Sequence, residues 1–167
     1  YCVLFTDEFS KYRAAFFYPT CSGVTLVHAI KAWRRQWLTA LRGDPTPEGL
    51  EIVADAAFDI DIVREQLDLY NWTLTLATPF EHATHGIAER SVGIVAQKAR
   101  TLLADCRLGP RFWDDAVACA VWTINRIPHS RTKRIPVAAH GIGPADLSPA
   151  RRFGTLVAFK DHLANKG

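Results

Sequence analysis

The sequence predicts one α/β domain with a mixed sheet flanked by helices, and three observations carry that expectation. Short β-branched and aromatic runs alternate with longer stretches in which apolar residues recur every three or four positions, in the order strand, strand, helix, strand, helix, strand, helix, helix. Hydrophobic residues make up 49% and charged residues 22% of the 167, ordinary proportions for a chain with a single core. No apolar run is long enough to cross a bilayer and no basic-then-apolar leader opens the sequence, which argues for an intracellular protein with no membrane partner. With Tyr1 first and no Met anywhere, the sequence reads as a piece of a longer polypeptide.

Taken in order, Cys2 to Phe5 and Arg13 to Tyr18 are strand-forming runs, and the polar residues between them predict a hairpin. Pro19 ends the second strand. Leu26, Ile30, Trp33, Trp37 and Leu41 then draw one apolar stripe along a helix whose other side carries Lys31, Arg34 and Arg35. The run Gly43-Asp44-Pro45-Thr46-Pro47 is a loop that helix geometry cannot enter. Glu51 to Ala54 is a strand ending at Asp55, Ile60 to Tyr70 a helix, and Thr73 to Leu76 another strand. Residues 79–85 read as polar and irregular. A long helix is expected from Gly86 to Arg107, burying Ala88, Val92, Val95, Ala99, Leu102 and Cys106, and broken by Gly109-Pro110. The next helix, Phe112 to Ile127, buries Trp113, Ala116, Val117, Ala120, Val121 and Ile124 before Pro128 stops it. A basic stretch with Arg131, Lys133 and Arg134, a Gly/Pro-rich loop and a last strand at 155–159 follow. The expected organisation is a core over 1–130 and a basic extension over 131–167.

Cys2, Cys21, Cys106 and Cys119 show no regular spacing, which excludes a zinc cluster or a disulfide framework as the organising chemistry. His82 and His85 lack a cysteine partner and read as exposed polar residues rather than metal ligands. The net charge of +3 is unevenly spread. Residues 1–83 hold 7 Lys/Arg against 11 Asp/Glu (−4), and residues 84–167 hold 13 against 6 (+7). A basic half of that size suits a polyanion, although solvated surface charge accounts for it as well. On the long helix, Arg90, Lys98 and Arg100 are candidates to follow a phosphate backbone, as are Arg131, Lys133 and Arg134 beyond it.

Four stretches, in order, resemble the integrase catalytic core of copia-type LTR retrotransposons. Leu4-Phe5-Thr6-Asp7-Glu8-Phe9-Ser10-Lys11-Tyr12 is similar to the family's F-V-D-D-F-S-R-Y, and Gly86-Ile87-Ala88-Glu89-Arg90 to N-G-V-A-E-R. Phe112-Trp113-Asp114-Asp115-Ala116-Val117 with Ile124-Asn125-Arg126-Ile127-Pro128 resembles F-W-A-E-A-V…Y-L-I-N-R-S-P. Pro144-Ala145-Asp146-Leu147-Ser148 with Arg152-Phe153-Gly154 resembles P-D-L-S-H-L-R-V-F-G.

The resemblance implies a ribonuclease H-like fold and an Asp-Asp-Glu site that cleaves and joins DNA with Mg²⁺ or Mn²⁺. By position, Asp55 matches the second Asp and Glu89 the Glu, 34 positions apart (89 − 55). The family's first strand and first Asp match nothing after Tyr1, and Asp7 matches a non-catalytic position. Asp55-Ala56-Ala57-Phe58 stands where the family has D-N-G-G-E-F, so a flexible turn and an acid are absent. Such chemistry needs hard cations held by converging carboxylates. Glu89 is expected in the first turn of its helix, where backbone N–H groups also favour a phosphate. On their own, Glu89 would read as a helix-start acid and Asp55 as a turn residue. The resemblance further implies DNA as partner, a homo-oligomer, and a location in the nucleus or a virus-like particle. The resulting expectation is an integrase core that is inactive as given. A non-catalytic nucleic-acid-binding or assembly module derived from an integrase is the alternative.

Overall fold

The structure, a computed structural model, describes residues 1–40, 49–77 and 82–156. Strands β1 (Cys2–Thr6) and β2 (Arg13–Phe17) pair antiparallel, with Cys2 opposite Phe17 and Thr6 opposite Arg13. Successive side chains of a strand point to opposite faces, so this hairpin serves two cores. Val3, Phe5, Ala14 and Phe16 join one of them, with Leu26, Ile30 and Trp33 of helix α1 (Gly23–Ala40). Leu4 and Ala15 join the other, formed by helices α3 (His82–Cys106) and α4 (Trp113–Ile124). The hairpin is thus a layer between helices, the arrangement expected of an α/β domain.

Strands β3 (Glu51–Ala54) and β4 (Thr73–Leu76) pair parallel, Glu51 opposite Thr73, with helix α2 (Asp61–Asp68) as the crossover. Ile52 and Leu74 reach the α1 core, to which α2 contributes Val63 and Leu67. Ile30, Val63 and Leu67 are fully buried, each contributing roughly 1.5–3 kcal/mol of hydrophobic stabilisation. Among the described residues the antiparallel and parallel pairs form two separate two-stranded sheets, so β1 and β3 share a core without sharing a ladder. A short helix α5 (Pro136–His140) closes on Gly141, whose φ of 84° is the left-handed cap that favours glycine.

Several expectations need correction. Helix α3 begins at His82 rather than Gly86, so the predicted irregular segment 79–85 gives its last four residues to the helix. Ala88 and Val92 do not face the core: Val92 is 55% exposed, and Ser91 is buried in that turn. The reason is polar, since the Ser91 hydroxyl receives the Arg13 Nε–H at 3.2 Å. Trp113 lies edge-on to Phe17 but is 41% exposed at the start of α4, instead of buried. That helix ends at Ile124, before Pro128. Thr155 and Leu156 are not in a strand, and the rest of the predicted strand 155–159 lies outside the described residues, as do the predicted loop at 43–47 and Leu41.

Three buried polar ties hold distant segments together. Asn125 accepts from the Arg13 N–H at 2.9 Å and donates to the Arg13 carbonyl at 2.7 Å, while its own carbonyl accepts from Val137 N at 2.9 Å. One residue therefore fastens β2 to the end of α4 through its side chain, and the start of α5 through its backbone carbonyl. Ser10, buried in the hairpin turn, donates to the Asp7 carboxylate and lies 3.2 Å from His140 Nδ1 on α5. The His140 ring stacks on Tyr12 and Trp33, with centroids 4.6 and 5.6 Å away. Burial raises the Asp7 carboxyl pKa, but the Ser10 hydrogen bonds and the nearby His140 imidazole, 3.7 Å away, together outweigh it and hold the group below its ordinary value.

Candidate functional site

Asp55 follows β3 in an extended conformation and caps the 3-10 turn at 56–58, its Oδ1 accepting from Ala57 N at 3.0 Å. The Ala56-Ala57-Phe58 run thus has a structural outcome: a short capped turn that carries Phe58 inward against Phe5, ring centroids 6.5 Å apart. Glu89 is the eighth residue of α3, two turns in rather than in the first turn as expected, so it does not lie among the free N–H groups of the helix start. At about 100° per residue it points roughly 160° around the helix from buried Ser91, which leaves it exposed.

The described residues join Asp55 and Glu89 by no hydrogen bond or ion pair to each other, and none of their His, Cys, Asp and Glu side chains gather three or more to a point where a cation could sit. Mg²⁺ demands a near-octahedral set of oxygens, more than two carboxylates supply by themselves. His82 and His85 open α3, and their side chains lie outside what is described. A depression of about 560 Å³ beside Arg64, Asp68 and Trp72 includes neither carboxylate.

The basic candidates separate into two groups. Arg90, Lys98 and Arg100 all lie on α3, but Lys98 and Arg100 are two positions apart and so point about 160° from each other. Lys98 and Arg100 therefore leave α3 on different faces. Arg131, Lys133 and Arg134 sit on a closed turn in which Lys133 N donates to the His129 carbonyl and His129 N to the Arg134 carbonyl, both at 2.8 Å. Lys133 adopts a φ of 58°, the left-handed conformation that lets so tight a turn close. The Arg134 guanidinium lies over the ring of Phe9 on the β1–β2 turn, 5.2 Å from its centroid.

Sequence reasoning passed over Arg13 and Lys11. Arg13 is only 4% exposed, with its Nε–H on Ser91 and Nη1–H on the Lys11 carbonyl, and no carboxylate pairs with it among the described residues. Burial pulls its guanidinium pKa down. One signal could have found this region: no Asp or Glu occurs between Asp115 and Asp146, while Arg126, Arg131, Lys133 and Arg134 do.

With the geometry in view, solved structures give the fold. The catalytic core domain of HTLV-2 integrase, in complex with magnesium, superposes with a TM-score of 0.59 at 22% identity over 83% of this chain and 83% of that one. The BIV integrase catalytic core gives 0.60 at 14% identity, covering 82% of each chain. This is the fold of an integrase catalytic core. A chain of the simian T-cell lymphotropic virus intasome gives 0.66 at 16% identity over 94% of this chain, which spans about half (51%) of that one. The α/β class and the ribonuclease H-like architecture expected from the sequence are therefore those of the chain. No protein-family model matches the sequence. Among the described residues, no helix is long and apolar enough to cross a membrane.

Proposed function

We propose that this chain is part of a DNA integrase core of the copia retrotransposon type, and that residues 1–167 alone neither nick nor join DNA. The observation that carries the reading is the integrase-core fold, reached independently of the four ordered sequence motifs. Asp55 at a strand end and Glu89 on a long helix are the two carboxylates assigned to catalysis. Mg²⁺ or Mn²⁺ is the cation class assigned to them once a third carboxylate joins. β1 and β3 each have one edge that no described strand covers, which supports the reading that a further strand completes the sheet and brings that carboxylate. Residues 1–130 are assigned to the core and 131–167 to a basic extension, with α5 bound back to the core through Asn125 and Ser10. DNA as substrate, assembly into a homo-oligomer, and action in the nucleus or a virus-like particle belong to the same proposal.

The inactivity has an electrostatic reason. Phosphoryl displacement needs positive charge opposite both the attacking and the leaving oxygen, and two carboxylates leave one cation position under-coordinated. The test is a nicking and strand-transfer assay with Mg²⁺ or Mn²⁺. Residues 1–167 are expected to show no turnover, and a longer polypeptide that adds an Asp-bearing strand upstream is expected to show turnover that Glu89→Gln abolishes. Turnover by the 167 residues alone, lost in Glu89→Gln, would overturn the inactivity. Silence in both forms would favour the non-catalytic binding module, a reading that the cationic turn at 129–134 also supports.

A further inference from the structure

We infer that the β1–β2 turn and the loop after α4 together form a docking surface for the phosphodiester backbone of a nucleic acid, built from Lys11, Arg131, Lys133 and Arg134, with the buried charge of Arg13 behind them. This rests on the reading of the chain as a DNA-processing domain, but it does not depend on Asp55 or Glu89 or on any metal.

The geometry comes first. Lys11 and Arg13 lie far in sequence from the 126–135 loop, and the fold locks the two segments together at three points. Asn125 clamps both backbone groups of Arg13. The Arg134 guanidinium rests on Phe9. Helix α5, immediately after the loop, is tied to the same turn through Ser10 and His140. The cations are consequently held by a rigid scaffold rather than scattered on flexible segments, which lowers the ordering cost when a ligand binds.

The charge balance points to an anion of extended form. Arg13 is buried with no carboxylate partner among the described residues, and Lys11, Arg131, Lys133 and Arg134 take part in no ion pair there either. The acids close by are committed or few. Asp7 is held by Ser10 and His140, Asp146 is bonded to Ser148, and Glu8 alone stands exposed on the turn. His129 reports the local field: partial burial, then the charges of Arg13, Lys11 and Arg131, push its imidazole pKa down. Its Nδ1 accepts from Thr132 N at 3.3 Å. Like charges held this near to one another repel, and a phosphate backbone placed against them removes that repulsion while releasing its own counterions. The Phe9 ring, 69% exposed, packs against the Arg134 guanidinium, whose paired N–H groups suit a phosphate's oxygens.

The test is fluorescence anisotropy with a labelled DNA duplex, without divalent metal, over a range of salt. The wild-type chain is compared with Arg131→Ala/Lys133→Ala/Arg134→Ala, with Lys11→Ala, and with Lys98→Ala/Arg100→Ala on α3. The altered loop side chains are exposed, and circular dichroism with a urea melt checks that each variant folds. The triple variant should weaken binding about tenfold or more at low salt and reduce the slope of log K against log salt by about 2 to 3, since each lost phosphate contact removes about 0.9. Lys11→Ala should reduce the slope by about 1, and the α3 pair by less than the triple. A second readout is the His129 imidazole titration by NMR. It faces Lys11, Arg13, Arg131 and Thr132, so bound phosphate should raise its pKa, whereas a purely structural role would leave it in place. A triple variant that binds with wild-type affinity and slope overturns the inference and leaves the catalytic reading to its own assay. So does a triple variant that loses self-association in sedimentation yet keeps its DNA affinity, because the surface would then be meeting the acidic half of a second copy.

Discussion

Replacing Asn125 with Ala should destabilise the fold more than any single polar substitution on its surface. The side chain is 3% exposed and occupies both backbone hydrogen-bonding groups of Arg13, at 2.9 and 2.7 Å. Alanine leaves a buried N–H and a buried C=O without partners. Each such group costs about 1–3 kcal/mol, so for the two groups the expected loss is about 2–6 kcal/mol. The bond from Val137 N to the Asn125 carbonyl is a backbone contact and does not add to the total. With a urea m-value of about 2 kcal/mol per M, the unfolding midpoint should fall by about 1–3 M with m unchanged. Asn125→Asp is the control: it keeps an acceptor for the Arg13 N–H but sets a carboxylate oxygen against the Arg13 carbonyl, and should cost at least as much. A loss below about 0.5 kcal/mol in both variants would refute the clamp, as would an Asp variant as stable as wild type.

Two further outcomes follow from the buried contacts. The Asp7 carboxyl has a folded pKa below its unfolded one, because burial, which raises it, is outweighed by the Ser10 hydrogen bonds together with the His140 imidazole nearby. Its contribution is therefore fully present above the unfolded value near about 3.9 and is lost as pH falls through the folded value. Urea midpoints taken from pH 7 down to 2.5 should drop less steeply in Asp7→Asn, and parallel curves would refute the assignment. Gly154 has a φ of 78°, and a Cβ added there would stand 2.6 Å from the Cys106 Cβ, so Gly154→Ala should cost about 1–2 kcal/mol and speed thiol labelling of Cys106. Gly143→Ala, with open space around its Cβ position, should leave both unchanged, and equal labelling in the two variants would count against the contact.

Much of the fold was legible because its causes are local. The β-branched and aromatic runs at the start of the chain, and the spacing of Leu26, Ile30 and Trp33, report local preferences, and the hairpin and α1 formed accordingly. The same periodicity marked α3 but misjudged its phase at Ala88 and Val92. The residue that turns inward there is Ser91, drawn by an arginine 78 positions away, and no apolar pattern carries that information. The start of α3 at His82 escaped for a similar reason, since a polar composition says little about where a helix begins once its later turns are packed. Of the candidate site, the sequence placed Asp55 at a strand end and Glu89 on a long helix.

What the sequence by itself determined is the set of elements, their order, and the acid-free, basic character of residues 116–145, because these depend on neighbouring residues and composition. What only the tertiary structure decided is which distant segments meet. Arg13 and Asn125 are 112 positions apart and Ser10 and His140 are 130 apart, yet they fix the hairpin turn, the end of α4 and α5 in one place. The pairing of strands into two sheets is of the same kind, since a strand's pattern shows its buried face and not the edge it will join. Buried hydrogen bonds are satisfied by geometry across the chain, so an early hairpin turn comes to lie beside a loop more than a hundred residues later.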